Sequence, residues 1–191
     1  MLRCAITNGL LRPCGWGNSI KRLRRRCTAL KKDGVSFLIV REKQLDVREL
    51  LELTRGILGV GMKVLIARRV DVAIAAGAAG VHLSGGAGEL TPGQVREVMP
   101  GAFVSVSCHE VEEVRRARMG GADLILFAPV FGKSVGGEMV VGGVGLEKLR
   151  EACVAAEGIP VLALGGVTAE NASECVKVGA AGVAGIRMFF E

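Results

Sequence analysis

The sequence predicts an α/β fold, a compact (β/α)8 barrel, on three observations. Eight short aliphatic runs alternate with segments of helical period. A glycine junction recurs as Ala76-Gly-Ala-Ala-Gly-Val-His-Leu, Gly120-Gly-Ala-Asp-Leu-Ile-Leu-Phe and Val178-Gly-Ala-Ala-Gly-Val-Ala-Gly. Each reads as a helix closing on a left-handed glycine, with a buried strand following at once. Glycine is abundant, 28 of 191 residues, yet Pro is only 5 and half of the chain is apolar, so the glycines punctuate a compact fold.

The strands fall in order on residues 2–7, 35–40, 63–66, 80–83, 102–106, 123–127, 160–163 and 182–186. They are near-continuously aliphatic, as strands of a parallel sheet covered on both faces must be. Between them lie helical segments over 19–32, 47–58, 70–76, 91–99, 109–119, 146–156 and 169–178. The first of these carries Ile20, Leu23, Cys27 and Leu30 at core spacing. Its basic run, Lys21 to Arg26, lacks interleaved aromatic residues, so it reads as a solvated helix face and not as a nucleic-acid site. The eighth strand is followed only by Arg187 to Glu191, so the eighth helix is missing or vestigial. The apolar flank this leaves is one that a second copy would cover, giving a homodimer. An open doubly wound sheet shares the same element pattern. In either arrangement residues 1–191 form one domain.

Composition narrows the function. No run approaches the roughly 18 apolar residues of a membrane span, and the N-terminal residues carry Arg3 and Arg12 without an unbroken apolar stretch. The expectation is a cytoplasmic protein without a membrane partner. Six cysteines are scattered without a CxxC pair, and there are only two histidines, so no imidazole or thiolate metal cage is expected. The net charge of +6 favours an anionic partner.

In a parallel barrel the chemistry gathers after the C-terminal ends of the strands. Gly165 and Gly166 follow the seventh strand, and Gly185 and Ile186 end the eighth. Their backbone amides suit a phosphate, although a tight turn alone would also call for Gly165 and Gly166. Arg41 and Lys43, after the second strand, are candidate anion ligands; a solvated strand end or an ion pair with Glu42 is the alternative. Lys133, after the sixth strand, is placed with the same substrate and phosphate ligands. Of the adjacent Arg68 and Arg69, at most one is expected to face the site. His109 follows the fifth strand and is the candidate general acid or base, or else simply a helix-start residue. His82 lies within an apolar strand and reads as a satisfied core histidine. Cys108 and His109 point apart along an extended chain, which disfavours a nucleophilic pair.

From its first strand to its last the chain resembles the thiamin phosphate synthase and TenI superfamily of barrels. The stretches that carry the resemblance are Ala5-Ile-Thr7, Arg41-Glu-Lys43, Arg69-Val-Asp-Val-Ala-Ile74, Gly80-Val-His-Leu83, Ser107-Cys-His-Glu-Val-Glu-Glu113, Gly121-Ala-Asp-Leu-Ile-Leu-Phe-Ala-Pro-Val-Phe131 and Ala163-Leu-Gly-Gly-Val-Thr168. The resemblance implies a phosphorylated small-molecule substrate and one of two activities. A synthase joins a pyrimidine diphosphate to a thiazole phosphate and uses Mg²⁺ on the leaving pyrophosphate. Its two metal-binding aspartates have no counterpart here, where the matching stretches read Ala67-Arg68 and Ser84-Gly85-Gly86-Ala87. The Thr-x-Thr-Lys loop of the family is replaced by Lys133-Ser134-Val135-Gly136. A TenI-like thiazole tautomerase, an isomerase, needs no metal or other cofactor, and Ser107-Cys108-His109 matches its Ser-Val-His motif. The first expectation is therefore metal-independent proton transfer by His109, with the amides near Gly165, Gly166, Gly185 and Ile186 on the phosphate and Arg41 or Lys43 on a carboxylate. Synthase activity, with Mg²⁺, and a catalytically silent binding protein are the alternatives.

Overall fold

The structure of the chain, a computed structural model, describes residues 1–7, 9, 16–86, 88–135 and 138–190, and for 16–18, 133–135 and 138–141 the backbone alone. In chain order the elements are β1 (Leu2–Ile6), α1 (Trp16–Lys32), β2 (Phe37–Val40), α2 (Val47–Ile57), β3 (Lys63–Ala67), α3 (Val70–Ala76), β4 (Gly80–Leu83), α4 (Pro92–Val98), β5 (Phe103–Cys108), α5 (Val111–Met119) and β6 (Leu124–Phe127). Then come β7 (Lys133–Val135), β8 (Glu138–Val141), α6 (Gly145–Ala155), β9 (Val161–Ala163), α7 (Ala172–Lys177), β10 (Gly182–Gly185) and α8 (Arg187–Phe190). Eight strands close a ring in the order β1-β10-β9-β6-β5-β4-β3-β2, with every pair parallel. Closure excludes the open doubly wound sheet.

Alternation along each strand divides the core in two. Phe37, Ile39, Leu65, Leu124, Leu126 and Leu162 pack with one another and with no helix residue, so they fill the barrel. Their neighbours Leu38, Val40, Val64, Ile66, Ile125 and Phe127 instead meet Leu50, Leu53, Val95 and Leu149 of the helices. Phe37 stacks on Phe103 at 5.4 Å between centroids, and the Lys63 ammonium lies 4.1 Å from the centre of the Phe103 ring. These residues open β2, β5 and β3, so they pack together at the N-terminal end of the barrel strands.

Local chemistry sets the helix ends. Asp46 accepts a hydrogen bond from the Glu49 amide at 2.8 Å, and Glu49 accepts one in return from the Asp46 amide at 3.1 Å. Thr91 and Gln94 repeat this reciprocal cap at α4, with Pro92 in the first turn. Gly77 ends α3 in the left-handed region at φ 74°. At the second junction the left-handed residue is Gly121, φ 81°, and not Gly120. Gly120 stays right-handed at φ −74° because its amide still bonds the Arg116 carbonyl.

The stretch after β6 departs from the expected outline, whereas the eighth helix is vestigial, as expected. The stretch Gly132 to Gly145 contains an antiparallel hairpin, β7 and β8, inserted between β6 and α6. Lys133 opens β7; its side chain lies outside the described residues. The eighth helix is present as one four-residue turn. Its Phe189 is buried, and Arg26 of α1 donates two hydrogen bonds to the Phe189 carbonyl, at 2.9 and 2.6 Å. The flank expected to lie open is thus covered at Phe189 from within the chain. On α1 the basic residues 21, 22, 24, 25 and 26 face solvent while Leu23, Cys27 and Leu30 are buried, as the helix-face reading expects. Among the described residues no helix is long and apolar enough to cross a membrane.

Candidate functional site

A cavity of about 670 Å³ opens among the C-terminal ends of β2, β3, β4 and β5. Arg41, Glu42 and Lys43 enter it from β2, Ala67, Arg68 and Arg69 from β3, His82 and Ser84 from β4, and Ser107 and His109 from β5. Arg41 and Lys43, predicted from the loop after β2, and His109, predicted from the loop after β5, therefore line one cavity. Buried Thr7, at the end of β1, fixes the backbone there by accepting a hydrogen bond from the Arg41 amide at 3.0 Å.

Gly165, Gly166, Gly185 and Ile186 do not line this cavity. They belong to β9, β10 and the turns after them, across the ring from β3 and β4. Gly165 and Gly166 have φ of 92° and 66°, and a Cβ on either would fall within 2.7 Å of Pro129 or Gly132 backbone. A tight turn against the β6 loop thus explains why they are glycine. The amides of Gly165, Gly166, Val167 and Ile186 nevertheless find no hydrogen-bond acceptor among the described residues.

Glu42 is buried, with the Gly9 amide donating to Oε2 at 2.9 Å and Gln44 Nε2 donating to the same oxygen at 2.5 Å. Its Oε1 has no partner among the described residues. The carboxylate expected as an ion-pair partner of its neighbours instead ties down the chain near Gly9.

His82 is bonded at both ring nitrogens, as a core histidine should be: Nδ1 lies 2.8 Å from Ser105 Oγ and Nε2 3.0 Å from Ser107 Oγ. Yet the ring also borders the cavity. Burial, opposed by Glu89 and reinforced by Arg41, pushes its pKa down to about 4, so it is neutral near pH 7. As pH falls below about 6.5 the unfolded chain takes up this proton, whereas the folded chain resists until about pH 4, so stability is lost across that window. The loss by the bottom of the window should be about 3 kcal/mol. Urea unfolding at pH 7 and 4.5 checks this: the wild type should lose more stability than His82→Asn, and equal losses would exclude it.

His109 is exposed, and its Nδ1 lies 2.8 Å from the Ala128 carbonyl oxygen. A carbonyl only accepts, so Nδ1 carries the hydrogen and Nε2 is left to exchange a proton. Cys108 is buried on the helix side of β5, and burial pushes its thiol up to about 12, which removes it as a nucleophile.

Glu89 gave no sequence signal. It accepts hydrogen bonds from the Ser84 amide at 2.7 Å and the Ser84 hydroxyl at 2.5 Å, and forms an ion pair with Arg68 Nε. Burial alone would raise its pKa; the Ser84 hydrogen bonds, with Arg68, outweigh this and hold it below the ordinary value. The carboxylate is therefore ionised, with donors on both of its oxygens.

This arrangement does not fit Mg²⁺. Mg²⁺ at a phosphate site is held by one or two protein carboxylates together with substrate oxygens and water. Among the described residues no group of three or more His, Cys, Asp or Glu is placed to hold a metal. A guanidinium, Arg68, occupies the end of β3 and is paired with the Glu89 carboxylate; Ala87 lies outside the described residues.

Comparison with known proteins bears on the same barrel. A family model described as thiamine monophosphate synthase matches residues 15–189. A thiamine-phosphate synthase of Methanoculleus marisnigri is 38% identical over 79% of this chain and 72% of its own length. One from Caldanaerobacter subterraneus is 36% identical over 84% and 75%. Among solved structures, a thiamine phosphate pyrophosphorylase from Pyrococcus furiosus superimposes with a TM-score of 0.78 at 27% identity, covering 96% of this chain and 84% of that one.

Proposed function

The chain belongs to the thiamine monophosphate synthase family, and on that membership we propose that its barrel mouth forms thiamine phosphate, joining a pyrimidine diphosphate to a thiazole phosphate as pyrophosphate leaves. The relatives above are named for this reaction, which reverses the order of the two activities expected from the sequence. One observation carries the reading: the cavity is lined by Arg41, Lys43, Arg68 and Arg69, with Glu42 the one carboxylate among its described lining residues and Glu89 and Asp71 paired to Arg68 and Arg69. Such a mouth suits a diphosphate, and its cations would neutralise the charge that develops on the departing group. Across the ring, the amides of Gly165, Gly166, Val167 and Ile186, which have no acceptor among the described residues, would hold the thiazole phosphate.

His109 favours a second reading, metal-independent tautomerisation of a thiazole carboxylate phosphate. Its Nε2 is the proton-exchanging atom of a ring oriented by the Ala128 carbonyl. Purified protein supplied with the two synthase precursors, and separately with the tautomerase substrate, distinguishes them by mass spectrometry. Thiamin phosphate and pyrophosphate should accumulate in the first case. His109→Ala should lower that rate by no more than about threefold, whereas a tautomerase would lose at least about tenfold. Ligand binding without either product would support the silent protein instead.

A further inference from the structure

We propose that Arg68, held by Glu89, is an anion-binding group of this mouth and that the pocket takes a diphosphate without a divalent metal. The inference rests on the reading of this cavity as the ligand site, and not on which reaction follows. Arg68 and Arg69 are adjacent, but they are engaged differently. Arg69 is closed into a two-point pair with Asp71, Nε to Oδ1 at 2.8 Å and Nη2 to Oδ2 at 2.5 Å. Arg68 spends only Nε on Glu89, and its side chain remains 61% exposed at the cavity wall. Its two Nη groups have no acceptor among the described residues. A guanidinium anchored through Nε presents those groups as a planar fork, the shape that bridges two phosphate oxygens.

The backbone supports this assignment. Arg68 has φ 65°, a left-handed conformation that a non-glycine residue rarely adopts, and its amide is held by the His82 carbonyl at 2.9 Å. A glycine would relieve that strain, so an arginine here costs stability unless its side chain is used. Glu89, only 11% exposed and fixed by both donors of Ser84, is a rigid anchor. Arg68 stands in the stretch, Ala67-Arg68, where the family resemblance implies a metal-binding aspartate, so one substitution accounts both for the metal misfit and for the added cation.

The test is calorimetric titration of the full chain with inorganic pyrophosphate, in EDTA and again with Mg²⁺. Wild type should bind in EDTA with an affinity within about threefold of that in Mg²⁺. Arg68→Gln and Arg68→Gly should each weaken binding in EDTA at least tenfold; the glycine variant takes the left-handed backbone freely and so reports on the side chain in a folded protein. Glu89→Gln, which removes the anchor but no cation, should weaken binding about threefold or more. The charge-matched Arg48→Gln, on the outer face of α2, should leave it unchanged. Binding only with Mg²⁺, or undiminished binding in both Arg68 variants, would overturn the proposal. Thiamin phosphate formation by those unaffected variants would leave the function standing while this inference falls; pyrophosphate binding lost with Arg68 but no turnover in wild type would do the reverse.

Discussion

Arg41→Met is expected to lower kcat/KM for the phosphorylated substrates about 100-fold while leaving the fold intact. Arg41 stands at the end of β2, its backbone held by buried Thr7, and its charge is felt at His82, where it lowers the pKa. It is therefore a preorganised cation facing the same space as Arg68. A donor aimed at developing negative charge in a partly dry site contributes about 3 kcal/mol to the transition state, which is the expected 100-fold. Lys43 is exposed, so water screens its charge, and Lys43→Met should cost only about fivefold. Steady-state kinetics on both variants, with circular dichroism as the check on folding, gives the ordering. Equal losses, or a loss below threefold for Arg41→Met, would remove Arg41 from the site.

The largest structural effect is expected from one methyl group. Gly80 starts β4, and a Cβ placed there would lie 1.9 Å from the Phe103 carbonyl oxygen and 2.7 Å from the Phe103 amide nitrogen. Both are backbone atoms of the adjacent strand and cannot rotate away. Gly80→Ala must push β4 from β5, so it should cost about 3 kcal/mol or more and lower Tm by roughly 6–12 °C. Gly182, whose Cβ would fall 1.9 Å from the Leu2 carbonyl oxygen, repeats the situation between β10 and β1. Gly93→Ala is the contrast: the nearest atom to its Cβ is Thr91 Oγ1 at 3.9 Å, and helix propensity should raise Tm by a degree or two, on the order of 0.5 kcal/mol. Thermal unfolding of Gly80→Ala, Gly182→Ala and Gly93→Ala tests this, and a Gly80→Ala protein as stable as wild type would contradict the close strand approach.

The barrel was legible because buried parallel strands write themselves as aliphatic runs, and all eight were placed within two residues of where they lie. The ends drifted where a residue closed the preceding turn instead. The aliphatic run places Val35 in the second strand, but its amide bonds the Leu30 carbonyl after the left-handed Gly34 and so finishes α1. The hairpin after β6 was missed because it is written in glycines with no alternation to betray strands. Part of that glycine content has a steric cause: a Cβ at Gly143 would fall 2.5 Å from the Val130 carbonyl oxygen.

At the site, position relative to a strand end sufficed to bring Arg41, Lys43 and His109 to the cavity. It did not reveal partners set by distant chain. Glu42 is buried because the amide of Gly9, 33 residues away, needs its oxygen. Glu89 reaches the mouth only because the chain after β4 folds back onto Ser84. Neither relation leaves a periodicity or a motif. The expectation that at most one of Arg68 and Arg69 faces the site does not hold, because both line the cavity; they differ in that Arg69 is closed into a two-point pair with Asp71.

The seam between β1 and β10 has a consequence for how the barrel forms. Its paired residues, Leu2 with Gly182 through Ala5 with Gly185, are about 180 positions apart, whereas most other neighbouring strands are joined by a single helix. Local units can assemble early, but this loop is the costliest to close and so is expected to close last. Until it does, the nascent sheet carries two unpaired edges, and aliphatic β1 and β10 offer their hydrogen-bonding groups to any other chain nearby. The step that turns a curved sheet into a barrel is thus also the step that ends its exposure to aggregation.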